Sequence, residues 1–179
     1  SVIRMLKEIH TIPNKSGQDY RDWPLDFLAD HIVATHHKYV LKTLPELVFY
    51  TNKIADVHGY RHPELIEVAR LFCKINDELL QHLKNEEDVL FPAIKAALLV
   101  NTPKTKEIIL SEITRMNGEH EFAGGTMDKI NETTNGYEVP ADACNTYLVT
   151  FKMLKQFEDD LHVHVHLENN ILFPKAMNL

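Results

Sequence analysis

Cysteine is scarce in this chain: the 179 residues contain two, Cys73 and Cys144. Two are too few for a disulfide scaffold and too isolated for a thiolate metal site, so both are expected to be reduced, buried thiols. Basic residues are outnumbered as well. Lys and Arg total 19 against 26 Asp and Glu, and a net charge of −7 leaves no cationic stripe for a phosphate backbone. Nucleic acid is thereby excluded as a partner class. Long apolar runs are missing: the stretch Ala96–Val100 falls far short of the ~20 residues that span a bilayer. No charged-then-apolar leader opens the sequence, so the expected setting is the cytoplasm, with no membrane partner. Period-two alternation is absent beyond a few residues, which argues against strands. The segment His162-Val163-His164-Val165-His166 imitates it, but its flanks keep helical phase.

Proline and glycine cluster at 13–24, 59–63, 101–103 and 135–140 and divide the chain into four long segments, Pro24–Thr51, Pro63–Val100, Pro103–Asn131 and Pro140–Met177. Each carries apolar residues at spacings of three and four. The second reads Leu65, Val68, Phe72, Ile75, Leu79, His82, Glu86, Val89, Ala93, and the fourth Tyr147, Thr150, Leu154, Phe157, Leu161, His164, Glu168, Ile171. The third reads Ile109, Ile113, Met116, His120, Ala123, Met127, Ile130, and the first Phe27, Ala34, His37, Leu41, Leu44, Val48. Such seams predict helices packed into a bundle, and the short connections predict antiparallel neighbours. The expected fold is all-α, an up-down-up-down four-helix bundle over residues 24–179. Residues 1–23 stand outside the pattern as an N-terminal extension: Ser1–Ile12 suits one or two helical turns, and a polar linker follows. The opening Ser, in place of Met, suggests a processed or trimmed start.

What the chain has in excess is histidine, 11 in all. Their placement is not random. His82-Leu-Lys-Asn-Glu86-Glu-Asp-Val-Leu-Phe-Pro92 aligns with His164-Val-His-Leu-Glu168-Asn-Asn-Ile-Leu-Phe-Pro174 at an offset of 82 residues. His37 precedes His82 by 45 residues and His120 precedes His164 by 44. The chain thus reads as a duplicated helix pair, each copy supplying one His from its first helix and His-x-x-x-Glu from its second.

Residues four apart share a helical face, about 6 Å apart along the axis. His37, His82, Glu86, His120, His164 and Glu168 therefore all fall on inward seams. A single inward histidine is more often a hydrogen-bonded core residue than a ligand, but six polar residues at repeat-related positions demand compensating cations, because buried carboxylates cost several kcal/mol unpaired. Four imidazoles and two carboxylates suit two first-row transition ions, two His on each and both glutamates bridging. An oxo or hydroxo bridge and an exchangeable external ligand complete such a centre. Mixed nitrogen and oxygen donors in a bundle favour iron, with manganese and zinc as substitutes. The remaining histidines are set aside. His162 and His166 point about 200° from the site, His36 lies about 100° off the seam, His58 and His62 fall in a loop, and His31 is ambiguous. Glu87 and Glu119 stand either exposed or as partners orienting an imidazole N–H. The two Leu-Phe-Pro units are expected to close the bundle above the ions and to end or kink their helices.

The paired His-x-x-x-Glu and Leu-Phe-Pro units, Glu119-His120, Asp30-His-Ile-Val-Ala-Thr-His-His37 and Leu167-Glu-Asn-Asn-Ile-Leu-Phe-Pro174 resemble the hemerythrin-like domain of the repair-of-iron-centres proteins, over about residues 24–178. The resemblance implies a non-haem di-iron protein of the bacterial cytoplasm that restores iron–sulfur clusters damaged by nitric oxide or peroxide. Its iron ligands fall on the same six residues. Two departures stand out. Oxygen-carrying hemerythrins have a fifth histidine one turn beyond the third-helix ligand, where this chain has Gly124 and then Gly125. Paired helical glycines cost about 1 kcal/mol each relative to Ala, which suggests close backbone approach, a channel, or simple helix packing. Full-length members also carry an N-terminal domain with a cysteine pair, absent from these 179 residues.

Three activities follow as expectations. Labile iron could be passed to damaged iron–sulfur proteins, the transient partners of a repair protein, and this is not strictly catalysis. The centre could instead bind oxygen or nitric oxide reversibly as a sensor or store, or reduce nitric oxide or peroxide. A dimer is compatible with the sequence.

Overall fold

The computed structural model describes residues 19–179; the helical turns expected over Ser1–Ile12 lie outside the described residues. After a 3-10 turn at Tyr20–Asp22, four helical rods follow. The first consists of α1 (Leu25–Ile32), a π turn at Val33–His37 and α2 (Lys38–His58). The second consists of α3 (Glu64–Asn85), a π turn at Glu86–Leu90 and α4 (Phe91–Leu99). The third is the single helix α5 (Pro103–Thr133). The fourth consists of α6 (Asn145–Leu167), a π turn at Glu168–Leu172 and α7 (Phe173–Met177). Among the described residues there is no strand and no helix long and apolar enough to cross a membrane. Each rod packs on the rods before and after it in sequence, and the fourth closes on the first, giving the expected up-down-up-down bundle.

The rod ends follow local chemistry. α5 starts with Pro103, whose missing N–H is no loss in a first turn, and the Thr102 hydroxyl accepts from the Thr105 amide at 3.2 Å. It stops at three consecutive left-handed residues, Asn135 (φ 51), Gly136 (φ 73) and Tyr137 (φ 64). Two boundaries differ from expectation. The first rod runs beyond Thr51 to His58, so His58 closes a helix and does not lie in a loop. The fourth rod starts at Asn145, capped by Cys144, and not at Pro140. The cysteines are free as expected, but Cys144 is exposed and Cys73 half-buried.

The π turns explain the larger corrections. A π turn inserts one residue and advances everything beyond it by about 100°. In the second rod the seam therefore passes from Glu86 to Leu90 and Ile94, while the expected Val89 is 38% exposed. In the first rod His37 stands five residues after Ile32, and the buried stripe is Leu28, Ile32, Val40, Leu44 and Leu47; Phe27 and Leu41, expected inside, are 59% and 45% exposed. Pro92 and Pro174 occupy first turns of α4 and α7, where the π turn has already broken the regular hydrogen-bond ladder. The helices continue through both Leu-Phe-Pro units and neither ends there.

The apolar interior is split in two. One cluster joins Val40–Ile54, Leu65–Leu83, Ala123–Ile130 and Tyr147–Val165, and the other joins Leu25–Ile32, Leu90–Ala97, Ile109–Met116 and Leu167–Ala176. The four predicted histidines and two glutamates form the layer between them, fixed from both sides by residues from all four rods.

Candidate metal centre

Three of the rods bring one predicted residue each to this layer at a π turn, with His82 and His164 one helical turn before two of them. His37 is the last residue of the first π turn, while Glu86 and Glu168 open the other two. The fourth contributor, His120, comes from the unbroken α5. All six side chains are buried, the two glutamates completely.

Their donor atoms fall into two groups. His82, Glu86, His120 and Glu168 each offer an atom within 4.8 Å of the others, as do His37, Glu86 and His164. Glu86 belongs to both groups: Oε2 lies 3.1 Å from His37 Nε2, and Oε1 touches His82 Nε2 and lies 3.7 Å from His120 Nε2. Glu168 spans them as well, its Oε1 being 2.7 Å from His164 Nε2 and 3.4 Å from His120 Nε2. Imidazole and carboxylate donors about 2.0–2.2 Å from one ion stand ~3 Å apart when adjacent, the range seen here.

Hydrogen bonding does not account for the arrangement. Among the described residues, the buried side-chain atoms without a partner are His37 Nδ1, Glu86 Oε1, His164 Nδ1 and Nε2, both Glu168 oxygens, Asp160 Oδ2 and His162 Nε2. Most belong to this layer. Lone pairs that converge without aligned donors fit cations: His82 and His120 could hold one and His37 and His164 another, with Glu86 and Glu168 within reach of both groups.

Without ions the layer holds protons. Burial pulls His82 down, but the Glu86 charge and its bond to Glu119 outweigh this and lift it to about 10. His120 is likewise lifted against burial, to about 9, by Glu168 and Glu86, and His37 is raised by Glu86. Glu86 is held well below the usual carboxylate range despite burial, chiefly by His82. For His164, burial prevails and the imidazole is pushed down.

The outer partners follow the duplication only in part. Glu119 Oε2 lies 3.3 Å from His82 Nδ1, and Asn169 Oδ1 lies 2.9 Å from His120 Nδ1. Either contact directs the opposite nitrogen, Nε2, into the layer. The repeat-equivalent positions are His36 and Glu87. Glu87 reaches His37 Nδ1 only at 3.6 Å, and His36 stacks on His164 at 5.5 Å while bonding Asp160 at 3.0 Å. Phe91 and Phe173 complete the duplicated pattern, each stacked 5.7 Å from His37 and His120 respectively.

The hemerythrin HHE cation binding domain matches residues 28–176. The chain belongs to the hemerythrin HHE family. Among its relatives, a "Probable iron-sulfur cluster repair protein" of Haemophilus influenzae (strain ATCC 51907 / DSM 11121 / KW20 / Rd) is 36% identical over 170 residues, 92% of this chain and 72% of that protein. The "Iron-sulfur cluster repair protein YtfE" of Enterobacter sp. (strain 638) is 32% identical over 160 residues, 89% of this chain and 70% of that protein, and YtfE of Escherichia coli O81 (strain ED1a) matches with the same values. The resemblance seen in the sequence is thus a family relationship.

Within this HHE bundle the other histidines except His36 and His162 lie well away from the layer. His31 packs against Tyr20 and Trp23, each at 5.2 Å, at the outer end of α1. His58 Nε2 meets Cys144 Sγ at 3.1 Å, and His62 Nε2 bonds Asp142 at 2.9 Å, both at the far end of the bundle. His166 bonds Asn170 at 2.8 Å; His10 lies outside the described residues. Sequence reasoning missed Asn169 and the burial of His36. The duplication holds the signal for both, since 169 pairs with 87 and 36 with 119. Gly124 is buried at the place of the absent fifth histidine, and Gly125 is exposed with open space around it, so no close approach demands a glycine at 125.

Proposed function

We propose that His37, His82, Glu86, His120, His164 and Glu168 hold two iron ions, and that the chain serves the repair of iron–sulfur clusters damaged by nitric oxide or oxidative stress in the bacterial cytoplasm. The observation that carries this reading is the double group of converging, hydrogen-bond-poor donors sharing Glu86 and Glu168. The names of its 32–36% identical relatives point to the same activity.

Bound iron would supply redox activity and exchangeable coordination positions. The chain's own residues bind, orient and enclose. Glu119 and Asn169 take the Nδ1 protons of His82 and His120, leaving Nε2 lone pairs for the ions. The two phenylalanines and the flanking apolar clusters exclude bulk water, so the carboxylates stay unsolvated and bind cations strongly. On this reading iron would be the cargo, and His82 and His120, whose imidazoles are raised by Glu86 and Glu168, would take up protons where the ions had been. With Gly124 where a fifth imidazole would stand, α5 supplies His120 alone to the layer, one histidine fewer than an oxygen-carrying centre uses.

The test is to load the protein with ferrous iron and present a cluster-depleted dehydratase. Recovery of dehydratase activity above that given by free iron is expected, with about two irons per chain at the start. Recovery no better than with free iron would count against donation. Turnover of nitric oxide or peroxide with an electron donor would instead support reduction at the same centre.

A further inference from the structure

A second set of metal-ligand side chains lies outside the layer. Asp128 on α5 and Glu158 and His162 on α6 each offer a donor atom within 4.8 Å of the others. Glu158 and His162 are four apart and share one face of α6. Glu158 stands six residues before His164, about 9 Å along the helix, so the set is displaced from the layer toward the bundle end where Tyr137 lies.

Glu158 is buried, and its carboxylate is braced from outside the set. Asn131 Nδ2 donates to Oε1 at 3.1 Å and to Oε2 at 3.2 Å, and the Tyr137 hydroxyl donates to Oε2. Oε1 keeps a free lone pair. The Tyr137 phenol is pushed up by burial and by the Glu158 charge, so it stays a donor. Such bracing matches what surrounds metal-ligating carboxylates, whose outer oxygens and partners are hydrogen-bonded in turn. The third member supplies the independent sign: His162 Nε2 is buried without a hydrogen-bond partner. A buried ring nitrogen left unpaired beside two carboxylates, on a side chain otherwise half-buried, is costly, and hydrogen bonds within the protein do not relieve it.

We infer that Asp128, Glu158 and His162 form a separate site for one divalent first-row transition ion. Two carboxylates and one imidazole are oxygen-rich and of intermediate softness, the donor set of manganese, ferrous iron or zinc, with water completing the shell. The inference stands on these three residues and does not depend on what fills the central layer.

Manganese(II) is the probe, counted by loss of the free-ion paramagnetic resonance signal. With the central layer filled by iron, the full chain is expected to bind one further manganese. His162→Ala and Asp128→Asn, changed singly at positions that are not fully buried, should weaken that binding at least tenfold with the iron count and helical circular dichroism unchanged. In a His82→Ala, His164→Ala background, which damages the centre, the manganese sensitive to His162→Ala should persist. No added manganese in the iron-loaded chain, or binding unmoved by both substitutions, overturns the site. Loss of manganese in the damaged background alone shows that the ion belonged to the central layer and overturns it equally.

Discussion

His82 and His120 turn their Nε2 atoms toward each other across 3.1 Å. With both Nδ1 protons given to Glu119 and Asn169, neither ring in its neutral form can donate to the other. Two lone pairs at that distance repel unless a positive charge lies between or beside them, and Glu86 and Glu168 sharpen the demand. A proton answers it in the metal-free chain, as the raised imidazoles of His82 and His120 reflect, and a bound cation would answer it in the same place.

Removing a donor should therefore cost an ion. His82→Ala and Glu168→Ala are expected to lower iron to one per chain or fewer, measured by elemental analysis. His58→Ala should leave it near two, because that ring faces Cys144 at the far end. A large loss in His58→Ala would contradict the assignment.

The two ions should not leave together. His82 and His120 have Nδ1 partners at 3.3 and 2.9 Å, whereas His37 Nδ1 comes only within 3.6 Å of Glu87 without a hydrogen bond and His164 Nδ1 has none. Chelator is expected to remove the ion of His37 and His164 first, in a biphasic release. Asn169→Ala should weaken the slower phase by about 10–100-fold, the usual consequence of losing an outer partner. Monophasic release in the wild type would remove the distinction.

Much of this was legible in the sequence, and what was not has a common cause. The duplication exposes all six layer residues, and the seams of α3, α5 and α6 bury the expected side chains because those helices are regular up to their ends. Phe27, Leu41 and Val89 were misplaced where an inserted residue resets the phase, and a π turn leaves no compositional mark. Asp128 and Glu158 escaped because they meet only where α5 packs on α6, and Tyr137 because the turn at Asn135–Tyr137 brings it to Glu158; periodicity describes neither.

Protonation gives the metal-free chain a definite pH dependence. Histidine titrates near 6.5 when unfolded, whereas His82 and His120 hold protons up to about 10 and about 9. Their contribution to stability is complete below about pH 6.5 and is lost as pH rises through 9 to 10. His164, pushed down by burial, acts oppositely: its contribution is present above about pH 6.5 and is lost as pH falls through its lowered value. Between pH 7 and 9 the chelated protein should lose thermal stability while metal affinity climbs, because ions displace those protons. Melting curves of chelated and loaded protein check both directions. A chelated protein that gains stability over this range would refute the protonated layer.

Glycines in α5 offer a test independent of metal. A methyl group at Gly118 or Gly125 meets nothing within 4 Å, so Gly118→Ala and Gly125→Ala should each stabilise by about 0.5–1 kcal/mol. Gly59→Ala should destabilise, its Cβ falling 2.2 Å from the Ala55 carbonyl oxygen. Urea unfolding of the loaded protein measures all three.

The split interior bears on how cargo could be surrendered. Each oily half is sewn together by all four rods, yet across the waist the stitching is polar. If the waist holds cations as proposed, emptying it would leave two caps joined by helix backbone and a few protons, so that giving up the ions and slackening the molecule would become one event.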